Sequence, residues 1–333
     1  MAFANSSISD IIATTIQARS EELADNVTNN IAGLAYMKKR GNVRPFSGGN
    51  VILEEIMYND STTSNAGWYS GYDTINIQPN SPISAAQYDI KQASAAVTIS
   101  GLEQLQNAGE ERMIDLLEGR IKVAEGQLMN LLAQGFYSDG TGSGGKQITG
   151  LQAAVADSPA SGSYGGIAGG AWSFWKNISF DATTDGGAAA TAANIQDYMN
   201  RTIYQVVRNT DSPDVALADA NYYRLYVDSL QAIQRITTDG SGSGGAGFTS
   251  IKYFGAGKAM DVILDGGIGG ACPTNHMYFL NTNYLFWRPH RDRNCVPLDP
   301  DRFSVNQDAV VKLIGFAGNL TCSGRQFQAV LKD

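Results

Sequence analysis

The chain has 333 residues, of which 43% are hydrophobic and 17% charged, with a formal net charge of −8. That length can bury a large core as one domain or two. The acidic balance (pI ≈ 4.8) excludes a protein that grips nucleic acid over a broad basic face, though not one that encloses it.

No apolar run approaches the ~18 residues of a membrane span. The N-terminus, MAFANSSISDII, lacks the basic and apolar regions of a signal peptide. Cys272, Cys295 and Cys322 are an odd count in a long chain, which reads as free thiols made in a reducing compartment.

In chain order, Ile8, Ile11, Ile12, Ile16, Leu23, Val27, Ile31 and Leu34 recur at helical spacing. The basic cluster Lys38-Lys39-Arg40 followed by Gly41 suits a helix C-terminus. This segment precedes any obvious core, so it is either an arm that packs on something else or a helix folded onto its own domain.

Asn50–Tyr58 reads as a strand, and Ala86–Ser100 as a second, around a polar excursion carrying Trp68, Tyr69 and Tyr72 among glycines. The pair suggests an extended hairpin with little core of its own. Its aromatics either meet a partner surface or plug the parent domain.

From Gly101 to Tyr137, Leu102, Leu105, Met113, Leu117, Ile121, Ala124, Leu128 and Leu131 mark one helical face, and no proline interrupts. From Leu102 to Gln134 the spacing predicts a single helix roughly 50 Å long at 1.5 Å per residue. Such a rod is either a beam on which other elements lie or an ordinary core helix of a large α/β domain.

Ser138–Leu151 is a Gly-rich loop, and the stretch from 153 to 197 is low in charge with Trp172, Phe174 and Trp175 as anchors. A helix from Ile195, a strand at Asp214–Asp219 and a helix at Ala220–Ile236, capped by Asp219, compose a compact α/β unit. The remainder turns to strands: Met277–Leu280, Tyr284–Trp287, and a final pair, Ala309–Phe316 and Asn319–Leu331, about a turn at Ala317-Gly318-Asn319.

Three chemistries fail on inspection. Gly140–Lys146 (GTGSGGK) has phosphate-loop spacing, but Gln147 stands where a hydroxyl is needed, and the loop follows a helix rather than a strand. Cys272, His276, His290 and Cys295 have metal-like spacing, but apolar strand material separates the pairs and no C-x2-C knuckle exists. With only His276 and His290 as bases, no hydrolase context is formed. Arg288, Arg291 and Arg293, flanked by acids, read as ion-pair formers within the chain or across an interface. No cofactor or metal site is expected.

The order of pieces resembles the major capsid proteins of tailed bacteriophages, whose fold is shared with herpesvirus capsid floors and encapsulin shells. The similarity is carried by Gly71-Tyr72-Asp73-Thr74, Val97–Leu105 (VTISGLEQL), Gly140–Leu151, His276–Pro300 and Ser304–Asp308 (SVNQD). The resemblance implies an α+β, HK97-like capsid fold: an N-terminal arm (1–48), an extended β-hairpin loop (50–99), a peripheral domain with a long spine helix (101–149), an axial domain (150–275), and returning peripheral strands (276–333). Inter-subunit contacts are then expected at Ile8, Ile12, Ile16, Trp68, Tyr69, Tyr72, Arg288, Arg291 and Arg293. Leu105, Met113, Leu117, Ile121 and Leu128 are expected to form the spine-helix core.

The function so implied is a shell protein, not an enzyme, that assembles with itself into pentamers and hexamers around double-stranded DNA without reading its sequence. Its place is the virion capsid, assembled in the host cytoplasm without a membrane. A separate scaffolding protein, a portal and an optional decoration protein are the implied partners. The arm begins almost at Met1, with no room for the scaffolding segment some members carry. Lys91 sits away from the hairpin tip, a poor position for the inter-subunit crosslink of other members. An encapsulin-like compartment and a phosphate-binding α/β enzyme are the alternatives.

Overall fold

A computed structural model describes residues 32–58, 65–77, 82–106, 116–231, 250–255, 258–266, 270–303 and 308–333. The described helices longer than four residues are α1 (Ala32–Lys39), α2 (Gly101–Gln106), α3 (Leu116–Phe136), α4 (Ile195–Val206) and α5 (Ala220–Gln231). The strands are β1 (Val51–Met57), β2 (Ile83–Asp89), β3 (Lys91–Ser100), β4 (Ser163–Tyr164), β5 (Ile167–Ala168), β6 (Ile178–Asp181), β7 (Val215–Ala218), β8 (Ser250–Gly255), β9 (Lys258–Leu264), β10 (His276–Leu280), β11 (Leu285–Phe303), β12 (Ala309–Cys322) and β13 (Ala329–Lys332).

A six-stranded mixed sheet, ordered β6-β13-β10-β7-β9-β8, forms the centre. Its strands alternate between two cores, as a period of two requires. Val215, Leu217, Tyr278, Leu280 and Val330 face the core shared with α1 and α3. Ala216, Ala218, Met277, Phe279, Ala329 and Leu331 face the core filled by α4 and α5. Both faces are covered, so β7 is buried at every position, which is why its sequence is apolar throughout. The Asp219 carboxylate accepts the Tyr222 backbone N–H at 2.8 Å and caps α5 as the sequence predicts.

A second sheet, ordered β11-β12-β3, extends from the first. β11 is its edge strand and carries Pro289, Pro297 and Pro300, residues that cannot serve a central strand. Its pairing with β12 shifts register between Pro289 and Asn294, Asn294 and Val296, and Leu298 and Arg302.

Four expectations need correction. The strand expected at Ala86–Ser100 divides at Ile90: β2 pairs with β1, whereas β3 pairs with β12. The turn expected at 317–319 is the middle of the continuous β12, where Gly318 pairs with Pro289 on one side and Lys91 on the other. A Cβ at Gly318 would lie 2.5 Å from the Arg288 carbonyl oxygen, so the glycine marks close approach of two strands rather than a turn.

The single 50 Å helix is also excluded. Arg120 donates to both carboxylate oxygens of Glu103 at 2.9 and 3.0 Å. In one straight helix those residues, 17 apart, would be separated by roughly 26 Å along the axis. α2 and α3 are therefore not collinear turns of one straight helix. α2 opens with a capping box, in which Ser100 Oγ accepts the Glu103 N–H and Glu103 accepts the Ser100 N–H.

Finally, residues 32–46, expected within the arm, belong to the chain's own core. Ala32, Leu34, Tyr36, Met37 and Phe46 are buried in it, and the Arg44 and Phe46 N–H groups donate to the carbonyls of Trp287 and Pro289. α1 ends at Gly41, whose φ of 75° and paired bonds, Gly41 N–H to Lys38 and Asn42 N–H to Met37, form a Schellman motif.

Candidate assembly surfaces

The β1–β2 hairpin has two unlike faces. Ile52 and Ile56 on β1 join Ala86 and Tyr88 on β2 in the core, while Leu53, Met57 and Ile83 point outward and are exposed. Glu54 lies on the inward side and is buried. Its Oε1 accepts from Arg288 Nη1 and from Thr321 Oγ1, each at 2.9 Å. A carboxylate can occupy that position only because both donors meet it there.

Three further contacts seat the hairpin base. The Tyr88 hydroxyl donates to the Cys322 carbonyl at 2.6 Å. The Gln87 N–H, outside the β1–β2 ladder, donates to the Gly165 carbonyl at 2.9 Å. Tyr58 stacks on Phe174 at 5.2 Å and meets Trp172 edge-on at 5.3 Å.

Beyond the base the chain presents its rings outward. Trp68 and Tyr72 are fully exposed and Tyr69 is 68% exposed, with Ile75 and Ile77 also uncovered. The Ser70 N–H donates to the Asp73 carboxylate and the Asp73 N–H to the Ser70 carbonyl, closing a turn at the centre of this segment. The reading that these aromatics plug the parent domain is therefore overturned. An exposed apolar strip of this kind is a candidate interaction surface.

The remaining expected contact residues divide. Arg288 is consumed inside the subunit by Glu54, a correction to its place among inter-subunit contacts. Arg291 and Arg293 are exposed, and Arg293 reaches Gln92 at 3.5 Å. Ile8, Ile12 and Ile16 lie outside the described residues, as does Met113. Leu105 and Leu117 lie on α2 and α3, with only their backbone described. On α3, Leu128 is buried in the core, beside Ala124, Leu132 and Phe136 at steps of four, and Ile121 packs against its rim.

Other polar groups fix the pieces on which the hairpin rests. Arg325, 2% exposed, donates to the carbonyls of Ala154, Ala153 and Trp175, and burial lowers its pKa. Asp265, beyond the end of β9, accepts the Gly33 N–H at 2.9 Å and the Tyr137 hydroxyl at 2.5 Å. Burial raises its pKa despite those two donors. It acts as a remote cap for α1.

The loop after α3 is closed on itself: the Gly150 N–H donates to the Ser138 carbonyl, and Ser138 Oγ to the Ile148 carbonyl. The helix that follows, Leu151–Ala154, is a single turn, too short to present a phosphate site. His276 contacts Asp157 at 3.2 Å, whereas His290 packs edge-on against Phe46. The Cys272 thiol faces the His276 carbonyl, 3.8 Å away.

Sequence reasoning missed the partners of Glu54, Tyr58 and Arg325. One signal was available: in an alternating strand, Glu54 falls on the same side as Ile52 and Ile56, which implies a buried acid awaiting a donor.

No sequence family and no curated protein sequence matches the chain. Solved structures do. The capsid asymmetric unit of cyanophage A-1(L) aligns with a TM-score of 0.66 at 18% identity, covering 94% of this chain and 95% of that one. The capsid of a native GTA particle aligns with a TM-score of 0.57 at 12% identity, covering 94% of each chain. The capsid of Myoviridae phage XM1 gives 0.51 at 13% identity, covering 94% and 95%. The chain has the fold of phage capsid proteins. Within this capsid fold the β1–β2 hairpin is the element with the most exposed apolar surface among the described residues.

Proposed function

We propose that this chain is the major capsid protein of a tailed bacteriophage, building the pentamers and hexamers of an icosahedral head around double-stranded DNA. The observation that carries the reading is the capsid likeness over 94% of the chain. The outward hairpin supports it, since exposed Leu53, Met57, Trp68, Tyr69, Tyr72 and Ile83 need a neighbour to cover them.

The protein acts by association, not catalysis. The segment of the hairpin beyond Tyr58 and Pro82 lies over an adjacent subunit, and Trp68, Tyr69 and Tyr72 supply buried anchors of the contact. Because residues 32–46 serve the subunit core, the inter-subunit arm is confined to residues 1–31, with Ile8, Ile12 and Ile16 as its contacts. The α4/α5 side of the central sheet forms the axial domain, α3 with the β11-β12-β3 sheet the peripheral one, and Arg291 and Arg293 meet acids of a neighbour. The net charge of −8 lets the shell enclose DNA without holding it. Assembly proceeds in the bacterial cytoplasm with a separate scaffolding protein and a portal; a decoration protein is an optional addition.

Electron microscopy of the purified protein, with light scattering on each chromatographic fraction, tests this. Shells, tubes or capsomer-sized rings are expected, alone or with scaffold co-expressed. A chain that stays monomeric under both conditions refutes the proposal, and particles filled with protein cargo instead of DNA redirect it to a cellular compartment.

A further inference from the structure

We infer that the hairpin does not swing as one piece: its base is a fixed part of the subunit, and its pivot lies at the step between Tyr58 and Pro82. The inference rests on the capsid reading only for its use in assembly. The anchors are independent of one another and converge on both strands. On β1, buried Glu54 is held by Arg288 of β11 and Thr321 of β12. On β2, the Tyr88 hydroxyl holds the Cys322 carbonyl, and Gln87 holds Gly165 in the turn between β4 and β5.

Where the strands leave the body, the Tyr58 N–H makes a backbone bond to the Pro82 carbonyl at 2.9 Å, and the Tyr58 ring is clamped by Trp172 and Phe174. Rotating the base away would strip Glu54 of both donors and uncover Ile52, Ile56 and Tyr88 together, a cooperative loss that ordinary thermal motion does not meet. The described part beyond the pivot, residues 65–77, is exposed at every position. A subunit can therefore adapt to differently curved neighbours through this distal segment, with the base keeping one orientation.

Amide hydrogen exchange on the free wild-type subunit and on assembled particles tests the pivot. The Gln87 N–H is the reporter, because it bonds Gly165 rather than the hairpin partner and opens only if the base leaves its seat. In the free subunit it should exchange at least ~100-fold more slowly than the amides of 65–77, the contrast between a core and an exposed segment. On assembly its rate should hold to within about threefold while 65–77 slows by about tenfold or more.

In the Tyr58→Ala variant the Gln87 rate should rise by about tenfold as one anchor is lost. A Gln87 amide that exchanges with the distal segment in the free subunit, or changes rate on assembly as much as that segment does, overturns the inference. Failure of the wild-type chain to form particles would refute the capsid reading instead, and the free-subunit comparison would still decide whether the base is fixed.

Discussion

Removing Arg288 gives the sharpest energetic test of how the hairpin is held. Glu54 and Arg288 side chains are 8% and 19% exposed at a separation of 2.9 Å, so they form a buried pair rather than a surface one. Breaking such a pair from one side costs about 3–5 kcal/mol, chiefly because an unpaired charge stays behind. Arg288→Met also deletes Arg288 Nε, which is buried without a hydrogen-bond partner, an orphan worth about 1–3 kcal/mol. The net loss expected for Arg288→Met is therefore about 2 kcal/mol.

The double variant Glu54→Leu/Arg288→Met should return to within about 1 kcal/mol of wild type, since an apolar pair of similar volume can replace a buried ion pair at little cost. Thr321 tolerates the change because its hydroxyl has the Phe286 carbonyl as a second acceptor at 3.4 Å. Urea unfolding of the unassembled subunit, followed by tryptophan fluorescence in a double-mutant cycle, gives the coupling directly. Additive losses in the two single variants, or a cost below about 0.5 kcal/mol for Arg288→Met, would place the pair in the class of weak surface contacts and refute the reasoning.

Arg120 hydrogen bonds, assisted by the Ser100 N–H, hold Glu103 down from 4.5 to about 2. A depressed acid stabilises the fold above its unfolded pKa, so this contribution is lost as pH falls from about 4.5 toward 2; Glu103→Gln should flatten that limb of the stability–pH profile, and an unchanged profile would contradict the clamp. Trp68→Ala combined with Tyr72→Ala should leave the melting temperature of the free subunit unchanged and sharply reduce particle yield; equal losses in both would return these rings to the subunit's own core. Gly318→Ala should destabilise by about 1–3 kcal/mol through overpacking against the Arg288 carbonyl, whereas a neutral thermal shift would argue for a loose strand there. Asp219→Ala should cost about 1 kcal/mol by uncapping α5, measured by the same urea titration.

Local signals proved readable where the physics is local. The 3.6-residue spacing of Ile195, Tyr198, Met199, Ile203 and Val206 gave α4, the apolar run at 215–218 gave β7, and Asp219 and Gly41 marked helix ends. Long-range pairing left no such trace. Periodicity states which side of a strand is buried but not which strand lies beside it, so β2 and β3 merged into one segment although their partners differ.

Gly318-Asn319 has turn chemistry in isolation. Only the neighbouring strands show that Gly318 relieves crowding and that the Asn319 side chain bridges to the Asp89 carbonyl at 2.9 Å. The apolar stripe from Leu102 to Leu131 fits one helix equally well as two. The Glu103–Arg120 contact that separates them belongs to tertiary structure.

The order of strands in the central sheet bears on how the subunit is made in the cell. β13 lies second in that sheet, between β6 and β10, yet residues 329–332 emerge from the ribosome long after β6. Until then β6 has no described partner within the sheet, and the α4/α5 core lacks Ala329 and Leu331. Such non-local closure is intrinsically late in folding. A nascent chain thus carries the exposed apolar residues of its β1–β2 segment before its central sheet can be completed.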